Sequence, residues 1–179
     1  MRRVFAVIKG GRDTSAPRSG SPDGLQEGRL NHLEEIEALN GKAEKLLVEV
    51  YGAEKAGNRK KELQLTRELL DTRLELARKM SDERVHDEVG GHLVAAAEAA
   101  YRCHEISEEP EKTLFFDRMK EVATQYFRSQ VRRRNSELAS SIVRRYGLTY
   151  DEMSRIRNAE ESAMEARELA FPRRGATDE

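Results

Sequence analysis

The chain has no tryptophan, only four prolines and a single cysteine, Cys103. One cysteine cannot build an internal disulfide framework or a multi-cysteine zinc site. No apolar run approaches the ~20 residues of a membrane-spanning helix. The apolar start, Val4 to Ile8, is too short for a signal-peptide core. A formal net charge of -1 gives the whole molecule no pull on nucleic acid or anionic membrane, so such binding would need a local patch. These features fit an intracellular, cytoplasmic chain.

What is present is charge in helical register. Charged residues make up 36% and hydrophobic residues 37% of the 179. That balance suits one domain of solvated helices with narrow buried stripes. Residues 1–24 stand apart as a basic arm, with Arg2, Arg3, Lys9, Arg12 and Arg18 among Gly, Pro and Ser. Such a composition predicts flexibility, and an organelle-targeting segment can share it. Residues 25–170 read as one helical domain, and 171–179 as a disordered tail.

Within that domain the pattern predicts a helix over about 25–55, stopped by Gly57-Asn58. A second follows over about 59–80, where Leu63, Leu70, Leu74 and Ala77 form one stripe and Leu65, Leu69, Leu76 and Met80 widen it. A helix apolar on two sides suits a position between neighbours. The third, about 83–104, carries Gly90, Gly91 and an alanine stripe that allow close approach of another helix. The fourth begins beyond Pro110, holds most of the aromatics, and weakens through Val131, Leu138, Ile142 and Val143. Gly147-Leu148 has the form of a Schellman stop. Thr149 with Glu152 has the form of a capping box for a last helix.

Catalytic constellations are not visible in the spacing. His32, His86, His92 and His104 form no His-Glu-x-x-His motif. Glu83 and His86 have the Glu-x-x-His interval of di-iron bundles, but those sites need a second such pair. Cys103 and His104 are adjacent, so on a helix they point ~100° apart and cannot act as nucleophile and base. Lys9-Gly10-Gly11-Arg12 lacks phosphate-loop spacing. The sequence therefore predicts no catalytic residue, no metal site, no cofactor and no enzyme.

Two stretches are candidates for recognition. Arg128, Arg132, Arg133, Arg134, Arg144 and Arg145 concentrate positive charge near the fourth helix. They could neutralise phosphates or an acidic protein surface, including acidic helices of the same chain. Residues 138–158 add a helix–turn–helix-like hairpin, although Asp151 and Glu152 at the start of its second helix repel phosphate. In the first helix Leu33, Ile36, Asn40, Leu47 and Val50, with Ala43, follow coiled-coil spacing. That seam could mediate self-association or pack within a bundle.

Residues 57–127 resemble tetratricopeptide-type helical hairpins. GNRKKELQLTRELLDTRLELARKMSDE is similar to the turn and second helix of one repeat, and HLVAAAEAAYRCHEISEEPEKTLFFDRMKEVATQYF to the next hairpin. Gly57, Leu70 and Ala77 sit near the turn and packing positions; Gly91, Ala97, Tyr101, Phe116 and Ala123 match those of the next unit. The two turns lie about 51 positions apart, against the usual ~34. The resemblance implies a concave protein-binding surface.

The combined expectation is an all-α fold, an antiparallel helical bundle or short α-solenoid of about five helices with flexible termini. Its expected function is a non-enzymatic protein–protein interaction, adaptor or assembly module that could self-associate. The alternative is a nucleic-acid-binding or regulatory protein using the arginines.

Overall fold

The computed structural model describes residues 22–82 and 86–170. The expectations for the basic arm over 1–21, for the start of the third helix at Glu83 and for the tail over 171–179 lie outside the described residues. Among the described residues there are six α-helices and no strand: α1 (Pro22–Lys55), α2 (Arg59–Asp82), α3 (His86–Ile106), α4 (Glu111–Arg132), α5 (Ser136–Arg145) and α6 (Tyr150–Ala170).

The count exceeds the expected five because the stretch after Pro110 is two helices. Gln130 to Asn135 close a Schellman motif: the Asn135 amide donates to the Gln130 carbonyl and the Arg134 amide to the Val131 carbonyl, both at 2.9 Å. Arg134 occupies the left-handed position with φ 61°, where glycine is usual and an L side chain is strained. The same motif ends α1 at Gly57 (φ 65°) and α5 at Gly147 (φ 83°). An Arg134→Gly chain is expected to gain about 1 kcal/mol of stability, measured by urea unfolding.

Packing follows chain order. α1 lies on α2, α2 on α3 and α3 on α4, while α5 and α6 both lie against α4. The two apolar sides of α2 serve different neighbours. Leu65, Leu69, Leu76 and Met80 cluster with Ile36, Ala43, Leu46 and Ala53 of α1. Leu70 and Ala77 join the larger cluster with Leu93, Ala96, Ala97 and Ala100 of α3 and Met119, Val122, Ala123 and Phe127 of α4. That cluster continues through Ala139, Val143, Tyr146 and Leu148 to Met153, so α5 and α6 share one core with α2, α3 and α4.

Small residues on α3 set the distance to its neighbours. Ala96 and Ala100 are fully buried. A Cβ at Gly90 would stand 3.1 Å from Gln130 Nε2 and 3.5 Å from the Tyr126 ring, which accounts for a glycine inside a helix. The hydroxyls of buried Thr66 and Thr72 donate to the Glu62 and Glu68 carbonyls, so neither is left unpaired.

The start of α6 is a closed capping box. The Thr149 amide donates to Glu152 Oε2 at 2.8 Å, and the Glu152 amide donates to Thr149 Oγ1 at 3.3 Å. Lys120 of α4 donates to Glu152 Oε1 at 2.8 Å, tying the cap to the core. The Lys120 ammonium, followed by the Thr149 amide and hydroxyl, holds the Glu152 carboxyl down at about 2 against an ordinary 4.5. A depressed carboxyl stabilises the fold above its unfolded pKa, and this contribution is lost as pH falls from about 4.5 towards 2. Glu152→Gln is expected to cost about 1 kcal/mol at pH 7. Thermal melts at descending pH should show the gap from wild type closing in acid.

Candidate interaction surfaces

Three successive helices enclose a groove. Leu47 and Val50 of α1, Leu69 of α2, and Ala95 and Ala99 of α3 line it, with a volume of about 340 Å³. Polar groups stand among these apolar residues: Glu54, Thr66, Arg73, Glu98 and Arg102. The apolar walls arise because α3 presents alanines and α1 turns part of its stripe past α2. An apolar floor with a few fixed polar groups is the usual composition of a recognition site.

Arg102 fastens the three helices together beside the groove. Its Nε donates to Glu62 Oε1 at 2.7 Å and its Nη2 lies 2.6 Å from the same oxygen. Nη2 also donates to Glu54 Oε1 of α1 at 2.7 Å. Glu62 is only 3% exposed, so its carboxylate depends on this partner. Sequence spacing offered no sign of the cluster, because its members lie 40 and 48 positions from Arg102 in a chain rich in Glu and Arg.

The six candidate arginines do not form one stripe. Arg132 grips Glu160 of α6 through Nε at 2.7 Å and Nη2 at 3.2 Å, and Arg128 Nε stands 3.7 Å from the same carboxylate. Their approach helps lower the Glu160 carboxyl's pKa, the Arg132 hydrogen bond being the largest cause. Arg145 sits on α5, beyond the break, and pairs with Glu98 of α3 at 3.2 Å. Arg144 donates to the Tyr150 hydroxyl at 2.7 Å and lies 4.5 Å from the ring centroid. Arg133 is half-buried and Arg134 exposed at the break itself. Residues 138–158 span most of α5, a turn and the start of α6, and each helix packs on α4. Exposed Tyr150, stacked by Arg144, and Asp151 open its second helix.

The α1 seam divides between two faces. Ile36 is buried against α2, as is Ala43, and Val50 is partly buried there. Asn40 is half-buried. Leu33 and Leu47 remain about half exposed, at 49% and 53%. The residues that do meet α2 are Ile36, Leu39, Ala43, Leu46, Val50 and Ala53, an unbroken alternation of three and four. The expected seam is thus rotated from the one that packs, sharing Ile36, Ala43 and Val50 with it.

The titratable groups of the interior are held in structural contacts. Cys103 is fully buried, and burial pushes its thiol up to about 12, leaving little thiolate at neutral pH. His104 Nδ1 lies 2.9 Å from the Lys112 carbonyl, engaged with α4 rather than with its neighbour Cys103. Burial, then the Arg73 charge, lowers the pKa of His92, whose Nδ1 is 3.1 Å from Arg73 Nη1. Among the described residues no group of three or more His, Cys, Asp and Glu side chains is arranged to hold a metal ion, and no helix is long and apolar enough to cross a membrane. No family model, curated protein or solved structure matches this chain.

Proposed function

We propose that this chain is a non-enzymatic protein–protein interaction module, an adaptor or assembly piece that binds a partner segment in the α1–α2–α3 groove and also self-associates. The groove carries the reading: its apolar walls and fixed Glu and Arg groups come from three helices locked by Arg102. The helices run antiparallel as a short solenoid. Support comes from register: Glu35 and Lys42 of α1 pair with Lys79 and Glu68 of α2, and Arg73 and Glu62 of α2 meet His92 and Arg102 of α3. In each case one number rises as the other falls.

In a tetratricopeptide-type reading α1 and α3 would be the inner helices and α2 and α4 the outer ones. Stacks of that kind bind extended or helical segments on the surface lined by their inner helices. The arginine alternative is weaker because Arg128, Arg132 and Arg145 already meet Glu160 and Glu98 within the chain.

Ala95→Arg should fill the groove from a half-buried position. Tagged wild type and this variant would be compared in capture from native lysate, with and without nuclease. Partners that survive nuclease and are lost from Ala95→Arg support the groove. Partners that vanish with nuclease and bind both chains alike would shift the function to the arginines.

A further inference from the structure

The groove between α1, α2 and α3 is lined by the charged side chains Glu54, Arg73, Glu98 and Arg102. All but Arg73 meet an opposite charge within the chain. Glu54 accepts from Arg102, which faces Glu62 and Glu105 as well. Glu98 accepts from the Tyr146 hydroxyl at 2.7 Å and pairs with Arg145. Arg73 is half-buried, and its polar contact among the described residues is His92, whose Nδ1 lies 3.1 Å from Nη1. Burial, then the charge of Arg73 itself, lowers the pKa of that imidazole. His92 is therefore neutral at pH 7 and leaves the guanidinium charge unmatched. Glu88, one turn before His92 on α3, acts on the imidazole without forming an ion pair with Arg73.

We infer that the groove takes a partner segment that presents an acidic side chain to Arg73 and aliphatic side chains to the walls beside it. The inference rests on the groove reading above and names the chemistry of its partner. A guanidinium offers five donors in a planar fork, and His92 engages one nitrogen of Arg73. The remaining donors suit a carboxylate. Leu69 and Ala99 are buried and Val50 and Ala95 half-buried, so apolar surface adjoins the charge. Aliphatic side chains laid there exclude water and strengthen the ion pair. The two ends of the groove differ in sign. Glu62 lies 11 positions before Arg73 on α2, ~16 Å along the helix. At that far end Glu54, Glu62, Glu98 and Glu105 stand against Arg102 and Arg145. The surplus of carboxylates repels a second acidic residue and favours a basic one. The segment is therefore acidic at the Arg73 end alone, and charge fixes its direction.

The test uses the full chain, immobilised, to select from a displayed library of random decapeptides. Wild type is expected to enrich sequences in which Asp or Glu adjoins Leu, Ile or Val, with Lys or Arg on the far side. Arg73→Gln should enrich the aliphatic residues without the acid and bind the leading wild-type peptide about 10-fold more weakly. Arg73→Lys keeps the charge and should keep the acidic preference, which separates recognition from any structural part played by position 73. Ala95→Phe fills the groove without adding charge and should enrich none of these peptides. Equal enrichment of acidic peptides by Arg73→Gln and wild type would overturn the inference and leave the groove in place. Enrichment of the same peptides by Ala95→Phe, or no enrichment by wild type, would overturn both.

Discussion

Phe127→Ala is expected to lower unfolding free energy by about 4 kcal/mol and the Tm by on the order of 10 °C. Phe127 is fully buried on α4 and belongs to the cluster that joins α2, α3, α4, α5 and α6. Val122, Ala123 and Val131 beside it are rigid or already small, so the vacated volume cannot close by rotamer change, and both the transfer and cavity contributions are lost. Leu46→Ala removes a smaller, aliphatic group from the smaller α1–α2 cluster, at about 2–3 kcal/mol. The two should differ in reach as well as size. Where each helix leans on its chain neighbours, stability adds from one interface to the next. Hydrogen exchange should therefore quicken mainly in α1 for Leu46→Ala and across α3 to α6 for Phe127→Ala. Uniform loss of protection over all six helices by either variant would mean that the fold opens as one unit.

The parts of this fold legible in the sequence are those governed by near-neighbour chemistry. Gly57 and Gly147 stop their helices as expected because glycine is the residue that adopts the left-handed turn freely. Thr149 and Glu152 close the predicted capping box because both partners lie within one turn. The two-sided stripe of α2 separates into two clusters as its periodicity implied. The stop at Arg134 was masked: an arginine stands where glycine is usual, and Val131, Leu138 and Ile142 continue the apolar period across the break, so that Asn135 at the start of α5 was the one local mark of a new helix. The rotation of the α1 seam has a related cause. Leu33, Ile36, Ala43 and Leu47 satisfy heptad spacing as well as Ile36, Ala43 and Leu46 do, and only the position of α2 separates the two.

The candidate surfaces were less legible because they depend on distant pairing. Arg132 and Arg145 read alike in a count of local charge, yet one meets Glu160 and the other Glu98. They belong to different helices, α4 and α5. The groove needs α1, α2 and α3 together, and no window of sequence contains all its walls.

Arg102→Ala is expected to cost about 3 kcal/mol, a large effect for a side chain that is partly exposed. The argument turns on what remains after truncation. Glu62, 3% exposed, would keep a buried carboxylate whose arginine partner is gone. The cost of an uncompensated buried charge exceeds the modest worth of an intact pair. Glu54 tests this by contrast, since its side chain is 47% exposed and water can replace its partner. Glu54→Gln should cost less than about 1 kcal/mol. Glu62→Leu combined with Arg102→Met should recover most of the lost stability, because it removes both charges and fills the space. Urea unfolding of the four chains supplies the comparison, and a loss below ~1 kcal/mol for Arg102→Ala would mean that water reaches Glu62. The double variant also separates stability from recognition. It retains three packed helices while removing the guanidinium from the groove, so lost partner capture by a chain of near-normal stability would assign Arg102 a direct part in binding.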